Sequence, residues 1–305
     1  MTDFLRERGV EFREDADIQS FLTLGIGGLV SLLVIIRSQA LLEEVGRRFV
    51  VSGTPFVVVG GGSNLAFTDE PTRAVVLVNR APGIRMGLGG EIVAASGVRL
   101  AVLLAWCQKR GLGGIEFLAG IPGTIGGAVV VNAGAFGRSI GTRVTGADVI
   151  DASGRCCSVG PEYFAFGYRR SRLKHANEIV LRIRLACTID DPAEIAERIG
   201  KNILYRKVNH PSYRLRSAGC FFQNPTVGGG PISAGKVIEE CGFKNRRFGA
   251  IEVASQHANF LLNRGSGRFA ELDEAERTIV EAVRSRKGID LEREVIYVAP
   301  SGEKY

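Results

Sequence analysis

Chemistry in this chain is most readily placed in its glycine-dense loops and in one arginine cluster. Pro55-Phe-Val-Val-Val-Gly-Gly-Gly-Ser-Asn64 reads as a buried strand running into a glycine turn. Successive glycines let backbone N–H groups point into one concavity, a nest that suits phosphate oxygens. Taken alone, this loop reads equally well as a plain hairpin turn. The second loop says more. Gly114-Ile-Glu-Phe-Leu-Ala-Gly-Ile-Pro-Gly-Thr-Ile-Gly-Gly-Ala128 carries five glycines and one proline and leads into Asn132-Ala-Gly-Ala-Phe-Gly137. So many free backbone positions describe a loop lying flat against something, and a ligand cradle accounts for that better than a structural turn. Arg169, Arg170, Arg172 and Lys174 form the basic cluster of a chain whose net charge of +7 suits anionic partners.

Several familiar chemistries are excluded. The first loop lacks G-x-G-x-x-G, and Leu65-Ala-Phe-Thr-Asp69 does not open a helix, so a Rossmann site fails. No Gly-Lys-Ser/Thr follows, so it is not a P-loop. The six cysteines (Cys107, Cys156, Cys157, Cys187, Cys220, Cys241) contain no CxxC pair and the three histidines are isolated, which argues against metal sites and a disulfide framework. The cationic residues form no stripe interleaved with aromatics, so no nucleic-acid partner is expected. Met1 to Asp17 has no apolar core and does not read as a secretory signal. Leu29 to Ile36 is far shorter than the roughly 20 residues that span a bilayer. No membrane partner is expected, and the reading is cytoplasmic.

The elements that must position these loops alternate along the chain. Strands are expected at Leu29–Ile36, 55–59, 75–79 and 91–95, and a half-buried strand over 178–189, where apolar and charged residues alternate. Helices are expected at 39–49, at 98–110 with Gly111 as C-cap, at 192–206 behind Asp191-Pro192, and near 234–241 and 270–286. A last strand is expected at 294–298. The pattern is α+β, with a boundary near 206–216.

The pairing of VVGGGSN with EFLAGIPGTIGGAVVVNAGAFG resembles the UDP-N-acetylenolpyruvoylglucosamine reductase family, in its shorter type without the large insertion. The likeness runs from Thr23-Leu-Gly-Ile-Gly-Gly28 to Leu291-Glu-Arg-Glu-Val295. It implies a PCMH-type, vanillyl-alcohol-oxidase-like FAD-binding fold over residues 1–205, in subdomains of about 1–78 and 79–205, and a C-terminal α+β substrate domain over 206–305. By that resemblance Gly60, Gly61, Gly62, Ser63 and Asn64 hold the FAD pyrophosphate. Ile121, Pro122, Gly123, Thr124, Gly126 and Gly127 line the flavin, which is bound non-covalently.

Three further segments carry the family's chemistry. In Phe166-Gly-Tyr-Arg-Arg-Ser-Arg-Leu-Lys174, Arg169 matches the arginine that grips the substrate carboxylate, beside Tyr168. A planar guanidinium can do so bidentately while staying charged. Arg170 and Arg172 read instead as a solvated patch. In Ser217-Ala-Gly-Cys-Phe-Phe-Gln-Asn-Pro225, Cys220 stands where the family usually has the serine that protonates carbon. An unperturbed thiol, with pKa about 8.5, keeps its proton at neutral pH and can act as a general acid; a small buried residue in a glycine turn is the alternative. Asn224 matches a substrate-binding position. In Leu291-Glu-Arg-Glu-Val-Ile-Tyr-Val298, Glu294 matches the catalytic carboxylate. Ideal strand spacing puts Glu292 on the same face, so only the motif separates the two. Ile296 stands where many members have arginine. Lys207 and His257 match further substrate positions, although a lone histidine is more often structural.

The implied reaction reduces UDP-N-acetylglucosamine enolpyruvate to UDP-N-acetylmuramate, a peptidoglycan precursor, with hydride from NADPH carried through FAD, in a monomer. Arg169 and Glu294 would stabilise the enolate, and Cys220 would protonate it. Two rivals stand beside it: an FAD-linked oxidase of the same fold, and a nucleotide-sugar binder without flavin. Neither His175, His210 nor His257 lies beside the glycine loops, which argues against a histidine-linked flavin. The intact glycine loops argue against the binder.

Overall fold

The computed structural model describes residues 1–87 and 90–305. The chain forms two compact units, each assembled from separated stretches. The first comprises Met1–Glu14, Leu32–Gly61 and Ala74–Arg206; the second comprises Asp15–Ser31, Gly62–Arg73 and Lys207–Tyr305.

A four-stranded sheet, most of it in the first unit, has the order Glu11–Asp17, Leu29–Ile36, Thr72–Asn79, Phe56–Val59. The last two run parallel, Val59 opposite Val78, so the strand that feeds the first glycine loop is paired along its length. Helix α1 (Thr2–Glu7) buries Leu5. Helix α2 (Gln39–Val51) begins at Ser38, whose hydroxyl accepts the Leu41 N–H at 3.2 Å, a standard N-cap. It buries Leu42, Val45, Phe49 and Val50 at helical spacing against Val34, Ile36 and Leu77. A five-stranded antiparallel sheet follows, in the order Cys156–Val159, Val144–Ile150, Ile179–Leu185, Ile92–Ala95, Ile84–Met86. Helices α3 (Leu100–Gln108) and α4 (Ile125–Val130) supply Leu103, Leu104, Ile125 and Val129 to the core that includes Ile92, Ile183 and Leu185.

One expected strand and one expected helix need correction. The strand expected over 178–189 ends at Leu185, and Thr188–Ile189 pairs separately with Leu112–Gly113. Alternation continued past the break because the short second pairing has the same period. Helix α5 (Pro192–Asn209) runs three residues beyond the expected 206.

The second unit has a four-stranded antiparallel sheet in the order Arg216–Ser217, Leu261–Asn263, Ile251–Val253, Arg247–Phe248. Helices α6 (Ala234–Glu240) and α7 (Phe269–Lys287) bury Ile238, Leu272, Ala275, Ile279 and Val283 in one core with Phe221, Phe222 and Tyr297. The Asp69 carboxylate accepts the N–H groups of Phe269 and Ala270 at 2.9 and 3.2 Å, placing an anion at the N-terminus of α7. Leu65–Phe67, correctly read as no helix start, is a strand parallel to Ile296–Val298. The final strand is thus two residues shorter than expected, because 292–294 pairs elsewhere. Among the described residues, no helix is long and apolar enough to cross a membrane, and no cluster of His, Cys, Asp and Glu could hold a metal ion.

Candidate active site

In the first unit, the two glycine loops meet backbone to backbone. A Cβ added at Gly60 would lie 2.3 Å from Thr124 Oγ1, and one at Gly61 would lie 2.5 Å from Gly123 Cα. At Gly126 it would meet Ser96 Cβ at 2.8 Å. At Gly61 and Gly126 backbone atoms stand in the way, so only glycine allows the approach; at Gly60 the obstacle is one side-chain oxygen. Thr124, 2% exposed, accepts the Gly127 N–H at 3.3 Å and so starts α4. The backbone of Thr124 bridges to Arg99, and Gly126 N–H donates to the Ser96 carbonyl at 2.9 Å. Arg80 Nη1 donates to the Gly60 carbonyl. The result is a wall of main-chain groups without side chains, braced from behind. Such a wall fits the pyrophosphate and the flat ring of a dinucleotide. Pro122 is exposed beside it, and Ile121 and Gly123 are half-buried.

Arg169 sits in a two-residue turn. Gly167 and Arg170 exchange both backbone hydrogen bonds, at 2.9 and 3.1 Å. Arg169 is left at φ +51°, in the left-handed region that non-glycine residues enter at a cost of about 1–3 kcal/mol. Asn132, itself at φ +47°, holds the turn: its Nδ2 donates to the Gly167 carbonyl at 2.7 Å and its Oδ1 accepts the Gly141 N–H at 2.9 Å. Ser171 Oγ donates to the Val130 carbonyl at 2.6 Å, tying the turn to the end of α4. Arg169 is half-buried, its Cζ 5.6 Å from the ring centre of exposed Tyr168. Arg170 and Arg172 are exposed, as a solvated patch would be, although Arg172 also pairs with Glu178.

The second unit brings Cys220 and Glu294 together. Glu294 N–H donates to the Phe221 carbonyl at 2.8 Å, and Gln223 N–H donates to the Glu292 carbonyl at 2.8 Å. Phe222 and Arg293 form the bridge between them. Asn259, 2% exposed, clamps Phe222 by both its amide groups at 2.8 Å. Burial separates the glutamates that spacing could not: Glu292 is exposed and Glu294 half-buried. Cys220 is half-buried against Ala254, Phe260 and Leu262. Asn64 joins this group, its Nδ2 donating to the Glu294 carbonyl at 3.1 Å. Gly62, at φ +64°, lies so close to the Phe21 carbonyl that a Cβ would come within 1.9 Å of that oxygen. Half-buried Ser63 lies between them.

Asn224 and His257 converge on the start of α6. Asn224 Oδ1 accepts the Ala234 N–H at 3.0 Å. A Cβ at Gly235 would lie 2.6 Å from His257 Cε1. His257 Nδ1 accepts the Asn259 N–H at 3.2 Å. Burial, with help from Lys244, holds His257 below the usual imidazole range, against a backbone hydrogen bond and, least, Glu239. Lys207 is exposed in the last turn of α5. Asn132 and Asn259 were missed by the sequence reading. Asn132 lies inside a quoted motif, where an asparagine among apolar and glycine residues was the signal available; Asn259 lies two residues after His257 in Ser255-Gln-His-Ala-Asn-Phe260.

Comparison with known proteins agrees with this geometry. The model of an FAD binding domain matches residues 30–160, and that of the C-terminal domain of UDP-N-acetylenolpyruvoylglucosamine reductase matches residues 210–298. The reductase of that name from Moorella thermoacetica is 38% identical over 90% of this chain and 88% of its own length. That from Heliobacterium modesticaldum is 34% identical over 99% of this chain and 95% of its own. The crystal structure of the Thermus caldophilus reductase superposes with a TM-score of 0.78 at 30% identity, covering 94% of this chain and 98% of that one. The expected α+β FAD-binding fold is borne out by these matches. Since the two domain models fall on the glycine cradle and on the Cys220–Glu294 pairing, and the relatives align over nine-tenths of the chain or more, the chain belongs to the UDP-N-acetylenolpyruvoylglucosamine reductase family.

Proposed function

We propose that this chain reduces UDP-N-acetylglucosamine enolpyruvate to UDP-N-acetylmuramate with NADPH, using non-covalent FAD, as a cytoplasmic monomer with no nucleic-acid or membrane partner. The observation that carries the reading is the juxtaposition of Cys220, Glu294 and Asn64, because it joins a proton source, a carboxylate and a cofactor-loop residue. Residues 1–205 are assigned to FAD and 206–305 to substrate.

Bound FAD accepts and releases hydride, chemistry that no side chain supplies. Gly60, Gly61, Gly62, Ser63 and Asn64 hold its pyrophosphate, and Ile121, Pro122, Gly123, Thr124, Gly126 and Gly127 line its ring. Arg169 holds the enolpyruvyl carboxylate, its strained turn fixing the guanidinium before substrate arrives. As the methylene carbon becomes methyl, negative charge develops on the adjacent carbon and its carboxylate. Arg169 opposes that charge, and Glu294 takes part as a protonated acid or through a hydrogen bond. The Cys220 Sγ proton then passes to the carbon bearing the ether oxygen, leaving a thiolate that regains its proton from solvent. Tyr168, Lys207, Asn224 and His257 hold the nucleotide sugar.

The test is anaerobic loss of NADPH absorbance by the purified protein, with and without UDP-N-acetylglucosamine enolpyruvate. Catalytic loss only with that substrate supports the reading. A single stoichiometric reduction, unaffected by the substrate, would mean that the acceptor is wrong.

A further inference from the structure

Helix α5 carries Arg198, Asn202 and Arg206 at positions i, i+4 and i+8, which stack along one face. All three reach one short segment of the first unit. Arg198 Nε and Nη2 donate to Glu116 Oε1 at 3.1 and 2.8 Å. Asn202 Nδ2 donates to the Glu116 carbonyl at 2.8 Å, and Arg206 Nε donates to the Ala119 carbonyl at 2.9 Å. Glu116 Oε2 accepts the Gly114 N–H at 2.8 Å. The Glu116 carboxylate is thus buried but bonded on both oxygens, the condition under which a charge is tolerated inside. Burial alone would raise its pKa; the Arg198 and backbone bonds outweigh burial and hold it below the usual carboxylate range.

The helix buries little apolar surface. Of its 18 residues only Ile195 is buried, with Ile199 packed against the same core, Tyr205 edge-on to Phe136 at 5.3 Å and Arg198 also paired with Asp190. The polar ladder is the part of this attachment that holds main-chain groups of the segment. Glu116–Ala119 runs without interruption into Gly120-Ile-Pro-Gly-Thr124. A turn with two carbonyls and one carboxylate pinned leaves in a fixed direction, and Gly123 and Thr124 need that direction to meet Gly61 and Gly60.

We infer that Arg198, Asn202 and Arg206 are positioning residues for the FAD loop Ile121–Gly127, acting through the backbone of Glu116–Ala119. The inference rests on the proposed reading of that loop as the flavin wall. It adds three residues far from the loop in sequence; Asn202 and Glu116, which it tethers, are 86 positions apart.

The experiment titrates FAD into FAD-stripped protein, followed by flavin fluorescence, and then measures the midpoint potential of the bound flavin. Arg206→Met removes the Ala119 tether and keeps the Arg198–Glu116 pair, and Arg206→Lys returns one donor. Lys201→Ala, on the exposed side of the same helix, is the control. Arg206→Met is expected to weaken FAD binding about tenfold and to move the potential. Arg206→Lys should recover most of both, and Lys201→Ala should match wild type. A lowered thermal midpoint in Arg206→Met and Asn202→Ala, with wild-type FAD affinity and potential, would reduce the ladder to a structural brace and overturn the inference. Wild-type protein that takes up no FAD would defeat the reading of the loop itself, an outcome distinct from variants that bind normally.

Discussion

Replacing Gly60 by alanine tests whether close backbone approach is what the glycine loops require. The new Cβ would stand 2.3 Å from Thr124 Oγ1 but 3.4 Å from Thr124 Cβ and Cγ2. Gly60 is not among the residues with positive φ, so backbone strain does not enter. The clash is therefore with one oxygen. Overpacking of this kind costs about 1–3 kcal/mol. Thr124→Ala removes the oxygen together with its bond to Gly127 N–H, a cap whose loss costs about 1 kcal/mol. The double variant Gly60→Ala/Thr124→Ala should then be destabilised by about the cap term alone, giving a coupling of roughly 1–3 kcal/mol between the sites. Gly61→Ala should find no such relief, because its neighbours are Gly123 Cα and N at 2.5 and 3.2 Å, which no substitution removes. Urea unfolding of the FAD-free protein gives the stabilities, and FAD titration gives the functional consequence. Additive losses in the double variant, or a Gly61→Ala protein that binds FAD as wild type does, would refute the argument.

Arg169→Ala is expected to slow the half-reaction that consumes the enolpyruvyl substrate about a hundredfold or more, leaving the NADPH half-reaction nearly intact; stopped-flow absorbance separates the two, and equal losses would remove the carboxylate role. Cys220→Ala should bind substrate yet fail at protonation, with Cys220→Ser restoring turnover; wild-type rates for the alanine variant would take Cys220 out of the mechanism. For His257 the folded pKa lies below the unfolded value of about 6.5, so the unfolded chain takes up the proton first as pH falls. Stability should be full above about pH 7 and decline as pH falls through 6.5 towards the folded value. His257→Gln should flatten that part of the urea midpoint against pH, and an unchanged slope would assign it to another group. Among the thiols, Cys107, buried and with its pKa pushed up to about 12, should react with maleimide later in native protein than Cys156, whose exposure outweighs the rise that burial and Glu43 give it; mass spectrometry of partially labelled protein gives the order.

Much of the site could be read along the chain because the glycines are local requirements. A loop that must approach another backbone, or turn at positive φ as Gly62 does, needs glycine at that position whatever else surrounds it. Helices α2, α6 and α7 were legible for a similar reason, since their apolar spacing and caps lie within a few residues of one another. Arg169, Cys220 and Glu294 were named only through resemblance to a family, because nothing in their spacing states a role.

Tertiary structure decided what depends on distant partners. The motif had favoured Glu294 over Glu292; the pairing of 221–223 with 292–294 adds a difference that spacing could not show, exposing Glu292 and half-burying Glu294. Asn64 was assigned from sequence to a phosphate nest, yet its side chain also reaches Glu294, 230 residues away. Glu116 had no role in the sequence reading, and its partner Arg198 lies 82 residues on. Periodicity records which face of an element is apolar. It carries no information about which distant carbonyl or carboxylate will meet that face, because that meeting follows from packing of the whole chain.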